Sequence, residues 1–290
     1  MEDLRNFNIH DLFCLIGKSD EEFLEWLREK KLIWTTRFCE CGKEMSQLHN
    51  KDSKWPVWRC YSRKNHEGKQ PTKGYFDGTF FAGAHLSPKQ VFEFTYYWAR
   101  KTHSQDEFQH DMGIGCPQTV VDWKMFCRDI AAAYFLNHPE KIGGINKYVE
   151  IDETVLCKPK YHKGRELARE QQWFFGGVER GESSKAFMQP VEARNAITLL
   201  RFCRNMLNRG YRHYTVNHSI EFKNKETGQH TNTIESQWQK FKQDHKQRYG
   251  TNRGLLNSYM EEFLWRKKFG GKDIFYHFWT QVTENYKIDT

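Results

Sequence analysis

The sequence predicts a mixed α/β (α+β) chain, with a Cys/His-rich segment and a run of helices ahead of a small sheet with flanking helices. Three observations carry that expectation. Cys39, Cys41, Cys60 and His66 fall in a stretch with little helical periodicity. Apolar residues recur at helical spacing over 88–136. After residue 146, three runs rich in β-branched and aromatic residues precede a return to helical spacing.

The 290 residues suffice for one full core and for two domains. Aromatic residues make up 16 % of the chain, too many for a disordered polymer. A net charge of +8 points to a polyanionic partner, with a merely basic soluble protein as the alternative. No window holds ~18 consecutive apolar residues, so no membrane span is expected. The opening run MEDLRNFNIHDLFCLIGKSDEEF is acidic early and its apolar stretch is broken, unlike a signal peptide. The eight cysteines are thinly spread, which favours metal ligands and buried thiols over disulfides.

Residues 1–35 read as a helical lead-in. Ser19 and Glu22 form a capping box, and Phe23, Leu24 and Leu27 supply the apolar stripe. Residues 36–82 read as short strands and turns held by something other than a core. Cys60 lies nineteen positions after Cys41, and His66 six beyond Cys60. Zinc takes four soft or borderline ligands in a tetrahedron, usually as two pairs from separated turns. Cys39, Cys41, Cys60 and His66 could supply them, so Zn²⁺ in a zinc-ribbon-like segment is expected. The C-x-C spacing is tighter than the usual C-x-x-C, and His49 is an alternative ligand.

Residues 83–142 have the cadence of a helix-turn-helix. Pro88 suits a first turn after Ser87, and Val91, Phe94 and Trp98 share a stripe. A short helix fits 104–111, and Gly113-Ile114-Gly115 breaks it. A longer helix begins after Pro117 and would present Gln118, Thr119, Asp122 and Lys124 outward. Gln118, Thr119 and Lys124 are candidates for base edges or phosphates. A plain three-helix bundle is the alternative.

From 146 to 290 the strand candidates are 148–157, 173–180 and 186–194. A helix over 195–208 follows, then a strand over 213–218. Helices fit 231–247, 252–268 and 272–285. Phosphodiester chemistry without a covalent nucleophile uses paired divalent metals held by carboxylates on rigid elements, and Mg²⁺ prefers oxygen ligands. Asp152 in the first strand and Glu235 in the first turn of the 231–247 helix are the candidate catalytic and Mg²⁺-binding (or Mn²⁺-binding) acids. Lys158, Lys160, Lys163 and Arg165 follow the first strand and could grip DNA phosphates. His218 and Asn232 flank the same region. Cys116, Cys127, Cys157 and Cys203 read as buried thiols.

The runs YVEIDETVLCKPKYHKGR, WFFGGVERG, VEARNAITLL and GYRHYTVNHSIEFKNKETGQHTNTIESQWQKFK, taken together, resemble the core of Merlin-type DDE transposases, relatives of a bacterial insertion-sequence group. WRC at 58–60, GTFF at 78–81 and YMEEFLWRKKF at 259–269 extend the resemblance over nearly the whole chain. It implies an RNase H-like mixed sheet, with Asp152 as the first catalytic acid and Glu235 as the third. It further implies metal-dependent cleavage at transposon ends and strand transfer. The expected partner is double-stranded DNA (terminal inverted repeats and target), the expected place the nucleus, and the expected assembly a dimer or larger.

One departure stands out. The family carries a strand ending in a second Asp between the 195–208 helix and the GY-x-H stretch. Here RFCRNMLNRGYRHYTVNHS runs straight through, so the core is internally truncated near 200–212, and no Asp lies between Asp152 and Asp244. Impaired strand cleavage follows. The alternative is a non-catalytic DNA-binding protein, domesticated or regulatory.

Overall fold

A computed structural model describes residues 1–49, 51, 53–156, 172–207, 210–214, 216, 228–248 and 251–288. The fold is α+β. Among the described residues it holds nine α-helices and two three-stranded antiparallel sheets. No helix among them is long and apolar enough to cross a membrane. The chain divides into two compact units, Met1–Ile130 with Gly271–Thr290, and Ala131–Gly270.

The first unit opens with α1 (Ile9–Ile16) and α2 (Asp20–Glu29). The Ser19/Glu22 capping box forms as the sequence predicts and starts α2. The small sheet follows, with β1 (Ser46–Leu48), β2 (Val57–Arg59) and β3 (Thr72–Gly74) in that order. Next come α3 (Pro88–Arg100), α4 (Gln105–Asp111) and α5 (Pro117–Asn137), whose residues from Ala131 on belong to the second unit. Ser87 caps α3 with Gln90 completing the box, and Pro88 occupies the first turn. Gly113 takes φ +63°, the left-handed turn that separates α4 from α5.

The units do not follow the expected 146–290 boundary. Helix α9 (Ile274–Asn285) belongs to the first unit. Its Phe275, Phe278 and Trp279 are fully buried. Phe275 lies 5.0 Å from Phe92, and Trp279 5.1 Å from the same ring. Phe80 of the GTFF motif meets both Phe278 and Trp279 edge-on. Aromatic packing of this kind outweighs sequence proximity in deciding which unit holds a helix.

The second unit is built on β4 (Val149–Val155), β5 (Trp173–Glu179) and β6 (Glu182–Val191), in the order β4-β5-β6. Helices α6 (Ala196–Met206), α7 (Asn232–Gln247) and α8 (Leu256–Phe269) complete it. The sheet is covered on both faces. Phe174, Val178 and Met188 pack with Ile234, Trp238 and Phe241 of α7 and with Met260 and Leu264 of α8. Phe175, Phe187 and Val191 pack on the other face with Cys203 of α6. Gly176 makes the α7 contact feasible, because a Cβ there would stand 2.8 Å from the Trp238 ring.

Two expectations meet a different outcome. His213, Tyr214 and Val216, the described part of the expected 213–218 strand, form no strand. Among the described residues β4 therefore pairs with β5 alone, and no further strand carries a second acid beside Asp152. Cys116, expected to be buried, is exposed because it sits in the turn before α5; Cys127 and Cys203 are buried as expected. Lys158, Lys160, Lys163, Arg165, Cys157 and His218 lie outside the described residues.

Candidate functional site

The expected ligands and acids fall in different parts of the chain. The ligand set is local. Cys39, Cys41, Cys60 and His66 place one ligand atom each within 4.8 Å of one another. The backbone explains how a C-x-C pair manages this. Cys39 N–H bonds to Lys43 C=O at 2.8 Å, Gly42 N–H bonds back to Cys39 C=O, and Gly42 takes φ +77°. That tight turn aims both thiols inward. The second pair comes from the end of β2 and the following 3-10 turn (Arg63–His66), closed by Glu67 and Gly68 at positive φ.

Cys39 Sγ lies 3.2 Å and Cys60 Sγ 3.5 Å from His66 Nε2, and Cys41 Sγ lies 3.8 Å from Cys60 Sγ. Ligands ~2.0–2.3 Å from one tetrahedral ion stand about 3.3–3.8 Å from each other. The cluster could thus hold a metal ion, and its dimensions and donor set are compatible with zinc. The Lys43 backbone N–H, with help from Asn65, Cys60 and His66, pulls the Cys41 thiol down to about 6. At Cys60 the Ser62 backbone N–H pulls down, but burial and the neighbouring Cys39 and Cys41 push the thiol up on balance. Three sulfurs crowded together oppose each other's ionisation, and a cation relieves that opposition. His49 is exposed and outside the cluster.

The expected acids Asp152 and Glu235, 83 positions apart, lie on β4 and on α7, two elements that pack against each other. Side chains alternate along a strand, so Glu150, Asp152 and Thr154 share a face of β4. Glu150 accepts from Thr233 N–H at 2.7 Å, and Thr154 Oγ1 accepts from Lys242 Nζ at 2.5 Å. Both flanking residues reach α7, so Asp152 between them is on the α7 side of the sheet. On α7, positions 235 and 242 are two turns apart and lie on one stripe. Lys242 reaches β4, so the stripe bearing Glu235 is turned toward β4. Both carboxylates are half-buried. Glu235 Oε1 accepts from Thr231 Oγ1 at 2.9 Å. Glu153, on the opposite face of β4, pairs with Arg194 at 2.7 Å.

The expected DNA-reading helix is less open than its sequence suggests. Gln118 is exposed, and its Nε2 donates to Asp122 Oδ1 at 2.7 Å. Thr119 is half-buried. Lys124 lays its ammonium 4.8 Å from the centre of the Phe108 ring. The exposed positions of this stretch are Val121, Phe126 and Asp129 besides Pro117 and Gln118, and Arg128 is only 3 % exposed. Stretch 117–130 therefore offers no fully exposed cation to phosphates.

Sequence reasoning missed Glu150. It is 4 % exposed and its two oxygens accept from Thr233, Ile234 and Arg180. Its parity with Asp152 along β4 was the available signal; Thr231 and Asn232 at the start of α7 are themselves cap-type residues and hid the need for an outside cap.

No protein-family model, curated protein or solved structure matches this chain.

Proposed function

We propose that this chain is a zinc-stabilised DNA-binding protein of DDE transposase descent, with a weakened strand-cutting centre on Asp152 and Glu235 in an RNase H-like core. The observation that carries this reading is the facing of two stripes, Asp152 between two β4 residues that reach α7 and Glu235 in line with a lysine that reaches β4. Two acids remote in sequence and directed into one strip are what a divalent-metal phosphodiester centre requires. Mg²⁺ or Mn²⁺ is the cation for such oxygen ligands, and two carboxylates in place of three leave it loosely held. Zn²⁺ is the ion for Cys39, Cys41, Cys60 and His66.

The proposed partner is double-stranded DNA, both transposon ends and target, met in the nucleus by a dimer or larger assembly. With Lys124 laid on Phe108, phosphate contact falls more to the basic 158–165 run than to α5. Nicking of an inverted-repeat duplex with Mg²⁺ or Mn²⁺ tests the catalytic part. Slow nicking by the native chain, abolished in Asp152→Asn and Glu235→Gln, is expected; nicking unchanged by both substitutions would overturn it.

A second reading, DNA binding without cleavage, is favoured by the lack of any Asp between Asp152 and Asp244. It expects salt-sensitive binding of duplex DNA with no metal-dependent product. Absence of duplex binding at low salt sinks both readings.

A further inference from the structure

We infer that Glu150 is a positioning residue that fixes the α7 carboxylate Glu235 against the β4 carboxylate Asp152. The inference rests on the reading of Asp152 and Glu235 as a metal-binding pair.

Helix α7 begins without a cap of its own. Its N-cap residue, Thr231, makes no side-chain bond to the helix backbone, and its hydroxyl donates to Glu235 instead. The first free N–H groups of the helix are satisfied from another element. Glu150 Oε2 accepts from Thr233 N–H at 2.7 Å and from Ile234 N–H at 3.2 Å. Glu150 Oε1 accepts from Thr233 Oγ1 at 2.9 Å and from Arg180 Nε at 2.9 Å, with His230 Nδ1 at 3.4 Å. Arg180 also donates to the His230 carbonyl at 3.0 Å, so the chain entering α7 is held by the same cluster.

A carboxylate at a helix N-terminus, with two backbone donors and a guanidinium, is held strongly in place. Both oxygens are committed, so Glu150 is not a substitute for the missing second acid. Its location gives it another effect. It stands two residues before Asp152 on one strand face, and it grips the backbone one and two residues before Glu235. Glu150 is thus the link between β4 and α7 nearest to both carboxylates, beside the core under α7 and the Lys242–Thr154 bond farther along the helix. Outer residues that orient metal ligands typically alter affinity by about 10–100-fold when replaced.

The experiment uses the full chain and Mn²⁺ as probe. Binding is followed by the Mn²⁺ paramagnetic resonance signal, and the first turn of α7 by amide exchange. The native chain is expected to bind Mn²⁺ and Asp152→Asn to lose it. Glu150→Gln is expected to weaken Mn²⁺ by roughly tenfold or more and to speed exchange at Thr233 and Ile234. Thr233→Val, which removes a single bond to Glu150, is a milder variant should Glu150→Gln fail to fold; it is expected to weaken Mn²⁺ by a few-fold, roughly. Val191→Ala thins the core on the other sheet face. It is expected to lower the melting temperature and leave Mn²⁺ affinity unchanged.

No Mn²⁺ binding by the native chain, or equal binding by Asp152→Asn, overturns the metal-pair reading and this inference with it. Loss of binding in Asp152→Asn, with native affinity in a folded Glu150 or Thr233 variant or an equal loss in Val191→Ala, overturns the positioning role alone.

Discussion

The Cys/His cluster and the proposed carboxylate pair draw their residues in opposite ways. The cluster draws every ligand from residues 39–66, and its geometry is set by two turns and a three-stranded ribbon. The carboxylates come from a strand and a helix 83 residues apart, and their alignment depends on a sheet, the core beneath α7, and the grip of Glu150. A site closed by local turns is robust to changes in distant packing. A site spanning two elements inherits every shift of those elements. Measurements that disturb one and spare the other therefore test the contrast directly.

The largest effect is expected from the metal. If the cluster holds zinc as proposed, chelation or Cys60→Ser should release it and abolish amide protection in the small sheet, because structural zinc contributes on the order of 10 kcal/mol in small zinc domains. Elemental analysis with amide exchange reads this; a ribbon that stays protected without metal would mean that ring packing holds it, and the contrast would dissolve. Next in size, Phe241→Ala should cost ~3–5 kcal/mol and lower protection in the second unit only. Trp279→Ala should do the same in the first unit. Equal loss of protection in both units from either variant would show that they unfold as one.

Smaller still is Gly176→Ala. The added methyl meets the Trp238 ring, so α7 must shift from the sheet at a cost of ~1–3 kcal/mol. Zinc content should not change, and a drop in it would couple the two sites. The smallest expected effect is on pH dependence. Burial, with Arg248 nearby, lowers His245 below its ordinary 6.5, and burial does the same to His277, with Arg5 adding to it and Asp273 opposing. The unfolded chain takes these protons first as pH falls, so stability is full above 6.5 and declines on acidification through the lowered folded values. Melting curves between pH 7.5 and 5.5 should flatten for His245→Gln and His277→Gln. An unchanged slope would remove burial of these rings as a source of acid sensitivity.

Local signals were legible in the sequence and distant ones were not. Ser19, Ser87 and Pro88 announce helix starts through their own bonding, and the structure places α2 and α3 there. The ligand cluster was legible because soft ligands at short separation have few other uses. The seating of α9 was not, because Phe275 and Trp279 bury equally well in either unit as far as hydropathy can tell. The 213–218 run has strand-like composition, yet its described residues His213, Tyr214 and Val216 form no strand, because a strand needs a partner as well as a pattern. Lys124 was expected to face outward by periodicity, which does not register that the Phe108 ring can hold an ammonium. Glu150 looked like one more acid in an acidic strand, since its partners are Arg180 in the turn after β5 and the backbone of α7.

The return of α9 to the first unit has a consequence for how the protein is made. The segment Ala131–Gly270 is an insertion between two parts of one core. During synthesis the rings of Phe80, Phe92 and Phe7 leave the ribosome well before their partners Phe275 and Trp279. At translation speeds of roughly 5–20 residues per second, that apolar surface waits on the order of ten seconds for its cover. A chain truncated before residue 274 should therefore be far more aggregation-prone than one that includes α9, as light scattering of the two would read.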